Sequence, residues 1–113
     1  MAIEDDLVSN IKEFIASADD DLFKRRYNSA IGTYFKAIAT ICDLNIYRQK
    51  RILPKNHSER FLFLKMSFLD VYKIVNKLFE KYTKTYNLRL SKDDAQLFKE
   101  NVKKINQLFK EKA

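Results

Sequence analysis

Arg51 and His57 stand with five residues between them, and they are the pair in this sequence best equipped for chemistry. A guanidinium grips a phosphate with two parallel hydrogen bonds, and an imidazole gains and loses a proton near neutral pH. Held in one loop, the two have the parts for cleaving a phosphodiester by proton transfer and charge stabilisation, with no metal. Other cations crowd the same stretch: Arg48, Lys50, Lys55, Arg60 and Lys65, with Glu59 the only acid between residues 48 and 65. An irregular loop there meets the start of a helix, whose free N–H groups add to the pull on an anion. A nucleotide or RNA site built from Arg48, Lys50, Arg51, Lys55, His57 and Arg60 is the expectation, with Tyr47 and Phe61 or Phe63 available to stack on a base. The plainer reading is a solvated basic surface, aromatic core, and a histidine that caps or packs at a helix start.

Tyr82 and Tyr86 form a second candidate. Four apart on a helix, they share a face, so their hydroxyls can line a groove beside Lys81 and Lys84. Half-buried packing with wet hydroxyls is the plainer alternative.

Other chemistries lack their parts. One glycine cannot build a phosphate-cradling loop, and one cysteine with one histidine cannot make the usual zinc site. Asp19, Asp20 and Asp21 are consecutive, so on a helix they point about 100° apart and do not converge on a cation. No metal or cofactor is therefore expected. Cys42 lies in the run Ala37-Ile38-Ala39-Thr40-Ile41-Cys42 and reads as a buried thiol in a reducing compartment.

The elements that must position these residues are helices. The chain has 113 residues, one domain's length, with one glycine and one proline, too few for the turns of a sandwich or barrel. Leu7, Ile11, Phe14/Ile15, Ala18 and Leu22 predict a helix over about 3–25, with Glu4, Asp5 and Asp6 in its first turn and Lys24 and Arg25 closing it. Asn28 and Ser29 are N-cap types, and Ile31, Tyr34/Phe35, Ile38 and Ile41/Cys42 predict a second helix over about 28–48. Its small residues Ala30, Gly32, Ala37 and Ala39 would admit another helix closely, which makes it central; Gly32 in particular costs about 1 kcal/mol against alanine and implies a close contact. Pro54 marks the longest irregular connection. A short helix then starts near His57 or Ser58 and turns Phe61, Leu62 and Leu64 inward. Asp70 caps a fourth helix carrying Val71, Ile74/Val75, Leu78/Phe79, Tyr82 and Tyr86. Ser91 and Asp94 form a variant capping box for a fifth, with Leu97/Phe98, Val102, Ile105 and Leu108/Phe109. The fold class expected is all-α, an antiparallel up-down bundle of four long helices and one short one, as a single domain over 1–113.

Charge divides along the chain. Residues 1–23 carry seven acids against Lys12, leaving a net of +13 on the remainder of a chain whose total is +7. The basic part attracts phosphates, and the acidic part suits a basic partner or a second copy. No apolar run approaches the roughly 20 residues of a membrane helix, and the N-terminus is acidic, so a cytoplasmic protein with no membrane partner is expected.

The order of these features resembles the HEPN superfamily, the higher eukaryote and prokaryote nucleotide-binding domain, in its small stand-alone prokaryotic and archaeal form. The resemblance rests on Arg26-Tyr27-Asn28-Ser29-Ala30-Ile31-Gly32-Thr33-Tyr34-Phe35-Lys36-Ala37, on Leu53-Pro54-Lys55-Asn56-His57 opening a short helix, on Tyr82-Thr83-Lys84-Thr85-Tyr86, and on a final helix after Ser91-Lys92-Asp93-Asp94-Ala95. It implies a helical bundle, often dimeric, acting either as a metal-independent ribonuclease or as the helical partner of a small nucleotidyltransferase in toxin-antitoxin pairs. Nuclease members of the superfamily carry an arginine and a histidine four to six residues apart, normally with a polar residue after the arginine. Only Arg51 and His57 match that spacing here, Ile52 follows the arginine, and the fourth helix has Lys81, Tyr82 and Tyr86 where many relatives have arginine-histidine or aspartate-tyrosine pairs. The leading expectation is therefore a dimeric domain that binds nucleotide or RNA with little or no catalysis. The alternatives are a ribonuclease using Arg51 and His57, and a non-catalytic protein-interaction module.

Overall fold

The apolar periodicities resolve, in a computed structural model that describes residues 2–112, into five α-helices. These are α1 (Ala2–Phe23), α2 (Tyr27–Lys50), α3 (His57–Ser67), α4 (Leu69–Thr83) and α5 (Lys92–Lys112), with one 3-10 turn, Lys84–Tyr86, after α4. The described residues contain no strand. The fold is all-α, four longer helices and one shorter.

α2 is the centre. Ile31, Tyr34, Phe35, Ile38, Ile41, Cys42 and Ile46 are buried on one side of it and Ala37, Ala39 and Leu44 on others, because α1, α3, α4 and α5 all pack against it. Burying one such large side chain contributes about 1.5–3 kcal/mol, and this helix supplies half of the buried apolar residues described. α5 adds Ala95, Phe98, Val102, Ile105 and Phe109, and α4 adds Val71, Val75 and Leu78. α1 fully buries only Ala18, while Ile11, Ile15 and Leu22 cover the core from outside. Among the described residues no helix is long and apolar enough to cross a membrane.

Helix ends show where local signals held and where distant partners overrode them. Ser91 and Asp94 exchange bonds as the capping pattern requires: the Asp94 N–H donates to Ser91 Oγ at 3.2 Å and the Ser91 N–H to Asp94 Oδ2 at 3.0 Å. Lys81 Nζ, 2.6 Å from Asp94 Oδ1, leads in holding that carboxyl down at about 2. α1 stops at Phe23, short of 25, because Arg25 adopts a left-handed conformation (φ 64°) and the Arg26 N–H returns to the Asp21 carbonyl at 2.8 Å. Leu62 is 55% exposed rather than inward, since one residue of rotation from half-buried Phe61 carries it off the face that holds Phe61 and buried Leu64. α4 begins one residue before Asp70, and the Asp70 carboxylate accepts from the Val71 N–H at 2.8 Å and from Lys112 Nζ at 2.8 Å.

Asn28 and Ser29 are not the cap of α2. That helix starts at Tyr27 after Arg26, with no side-chain cap. Asn28 instead ties α2 to the distant segment before α5: its Nδ2 donates to the Leu88 carbonyl at 2.7 Å and the Thr85 carbonyl at 3.2 Å, and its Oδ1 accepts from the Leu90 N–H at 2.9 Å. Asn28→Ala orphans three backbone groups, two of those bonds being partly buried. Chemical denaturation should show a loss of about 2 kcal/mol, above the ordinary cost of one hydrogen bond.

Candidate functional site

On one face of α2, Gly32, Phe35, Lys36, Ala39 and Thr40 follow one another at helical spacing and line a cleft of about 430 Å³. His57 and Arg60 from the start of α3 and Tyr82 from the end of α4 complete its walls. Gly32 was expected to let a second helix approach. A Cβ there would meet no backbone, only Tyr82 Cε1 at 3.8 Å, so a methyl would fit in ordinary contact with that aromatic ring.

The aromatic wall is fixed from behind. Phe35 and Tyr82 are stacked, 4.8 Å between centroids and 11° between planes, and Phe79 lies 5.7 Å from Phe35 and 6.1 Å from Tyr82. Tyr82 and Tyr86 share a hydroxyl contact of 2.9 Å, which with burial raises the Tyr82 pKa, and the Tyr86 ring stays exposed. Phe61 packs on Phe79 and Tyr72, 5.3 and 6.3 Å away, and so supports the wall.

His57 is anchored. Arg60, largely buried, donates Nε to Asp43 Oδ1 at 2.7 Å and Nη2 to Asp43 Oδ2 at 2.9 Å, and its Nη1 lies 2.8 Å from His57 Nδ1. A guanidinium only donates, so Nδ1 accepts and the neutral ring carries its proton on Nε2. The imidazole is also flanked by Phe79 at 5.2 Å and Phe35 at 6.1 Å. Desolvation, then the Arg60 charge, push its pKa below 6.5, and Asp43 opposes them. A group with a lowered folded pKa binds fewer protons than the unfolded chain just below pH 6.5, so His57 withdraws stability as pH falls from 6.5 to its folded value. The chain has one histidine, which makes the test clean: its C2 proton should titrate below 6.5, and Arg60→Gln should move the midpoint up.

Of the residues singled out from the sequence, the structure brings together His57, Arg60 and Tyr82, with Tyr86 joined through its hydroxyl. Arg48 and Arg51 turn instead to Glu4 of α1, at 3.3 and 3.8 Å. Arg51 ends α2 in a left-handed conformation (φ 58°) with its guanidinium 5.5 Å from the Tyr47 ring, whereas His57 is held by Arg60. Lys50 and Lys55 are exposed. With Nδ1 occupied and Nε2 protonated, neutral His57 offers no free lone pair to act as a base. Asp43, Lys36 and Thr40 were missed. Asp43 carried a signal, an acid inside an otherwise apolar run of α2, but its partner lies 17 residues on.

The three consecutive aspartates are spent on ion pairs and hydrogen bonds within the chain, Asp20 and Asp21 sharing Arg26. Asp19 pairs with Lys99 and Tyr34, Asp20 with Lys24 and Arg26, and Asp21 with Arg26 and Ser29. Among the described residues no three His, Cys, Asp or Glu side chains gather at metal-holding distances. Cys42 is fully buried, and burial raises its thiol pKa far out of the reactive range. No protein-family model matches the chain, and no curated protein or solved structure matches it.

Proposed function

We propose that this chain is a non-catalytic, HEPN-type helical domain of the cytoplasm that binds nucleotide or RNA in the cleft between α2, α3 and α4. The observation that carries the reading is the cleft's construction: a glycine beside a Phe35–Tyr82 stack, with Arg60, His57 and Lys36 around it. A planar base suits the aromatic wall, and a phosphate suits Lys36 and the Nε2–H that the Arg60 contact leaves on His57, Arg60 itself being committed to Asp43 and His57. Dimerisation, and pairing with a small nucleotidyltransferase as in toxin-antitoxin systems, belong to the same reading. The net acidic charge of the α1 segment supports them by suiting a basic partner.

Catalysis is disfavoured by the anchoring of His57 Nδ1 and by the engagement of Arg51 with Glu4. Filter binding of labelled RNA and of ATP at two salt concentrations tests the proposal. Binding that weakens steeply with salt and falls about tenfold in Tyr82→Ala is the expected result. No retention at low salt defeats it, and chelator-resistant RNA cleavage abolished by His57→Ala would put a ribonuclease in its place.

A further inference from the structure

A second surface, built from residues of α1 and α5, has no part in that cleft. Where the last turn of α1 meets the first half of α5, two concavities adjoin. One, of about 490 Å³, is lined by Asp19, Leu22, Phe23, Arg25, Tyr27, Lys92 and Lys99. The other, of about 300 Å³, is lined by Leu22, Gln96, Lys99, Glu100 and Lys103. They share Leu22 and Lys99 and so form one groove. Lys92, Lys99 and Lys103 are spaced seven and four apart, which sets them on one face of α5 over about 16 Å.

The charges of this groove are largely unspent. Asp19, one of its two acids, is taken by the Tyr34 hydroxyl and by Lys99 at 3.5 Å. Arg25, Lys92 and Lys103 form no ion pair among the described residues. Phe23 stands at the mouth with 87% of its surface exposed, the most exposed large hydrophobic side chain described. Arg25 occupies a left-handed position, φ 64°, where glycine or asparagine is the unstrained choice. An aromatic ring left in water beside a row of unpaired cations is the pairing by which proteins hold single strands, bases on the ring and phosphates along the cations.

We propose that the α1–α5 groove is a binding track for single-stranded nucleic acid, with Phe23 stacking on a base and Arg25, Lys92 and Lys103 contacting phosphates along the strand. It rests on the reading that the chain binds nucleic acid but uses a separate surface. An acidic peptide would satisfy the cations and leave the Phe23 ring without a role. An anionic membrane would have to meet a concave face flanked by the acids of α1.

Fluorescence anisotropy of the full chain with a labelled twelve-nucleotide oligouridylate, between 50 and 200 mM salt, tests the track. Arg25→Gln/Lys92→Gln/Lys103→Gln should lower the slope of log affinity against log salt by about 2, since each phosphate contact to a single strand contributes about 0.7. Phe23→Ser should weaken binding about tenfold with the slope unchanged. Circular dichroism checks that both variants fold, and Phe23→Ser, being at an exposed site, serves if the triple variant does not. Unchanged affinity and slope in either folded variant overturns the track. So does equal binding of a duplex, or displacement by polyglutamate with no Phe23 effect. Tyr82→Ala, measured alongside, separates the two surfaces: loss there alone keeps the cleft and removes the groove, and loss in the groove variants alone does the reverse.

Discussion

Arg60→Ala should cost about 2 kcal/mol of folding stability, between the cost of losing a solvated surface bridge and that of breaking a fully buried ion pair. The side chains of Arg60 and Asp43 are only 12% and 16% exposed, and the two bonds between them are parallel and short, 2.7 and 2.9 Å. Truncating the arginine leaves the Asp43 carboxylate in the wall of the core next to the buried Cys42, with no other cation bonded to it. For a domain of this size the melting temperature should fall by about 8 °C. The desolvated carboxylate, more than the lost attraction, sets the magnitude. Hence Asp43→Leu/Arg60→Met, which removes both charges and keeps apolar volume, should recover much of the loss in urea denaturation. A loss below 1 kcal/mol in Arg60→Ala would mean that the pair behaves as a solvated surface bridge.

Arg60 has a second effect that separates structure from binding. Without its guanidinium, His57 Nδ1 loses its donor and the ring loses the positive charge that disfavours protonation. With His57 no longer held in one orientation and tautomer, the variant should bind ligand more weakly even at temperatures where it remains folded. Arg60→Lys keeps a charge without the fork, so it should retain part of the stability while losing the simultaneous hold on Asp43 and His57.

The helices were legible because their signals are local. The apolar stripes of α1, α2, α4 and α5 repeat at three and four residues over long stretches, and the Ser91–Asp94 box is contained within four positions. The candidate site was legible only in part, for the same reason reversed. Arg51 and His57 are close in sequence, but the left-handed turn at Arg51 ends α2 and sends its guanidinium to Glu4, 47 positions earlier. The partners that determine what His57 can do, Arg60 and through it Asp43, are joined by tertiary packing of α3 on α2. Asn28 is the clearest case of such override: its type suits a cap, and its bonds go 57 to 62 residues away.

Gly32→Ala should stabilise the protein by about 0.5–1 kcal/mol, and Gly32→Leu should abolish most ligand binding while leaving it folded. Glycine within a helix costs conformational entropy that alanine does not, and Gly32 has no positive φ to require it. The added methyl would meet Tyr82 Cε1 at 3.8 Å, an ordinary contact. Were Gly32 there to admit a neighbouring helix, the same methyl would strike backbone and destabilise by more than the propensity gain. The sign of the alanine variant's stability change thus decides between a packing role and an open-cleft role. Leucine tests the consequence, because its longer side chain fills the space between the α2 face and the Phe35–Tyr82 stack where a base would lie. Excluding it should weaken nucleotide or RNA binding about a hundredfold, the effect expected when pocket volume no longer fits its ligand. A stabilised alanine variant together with a leucine variant that still binds at full affinity would show that the glycine's cost serves something other than this cleft.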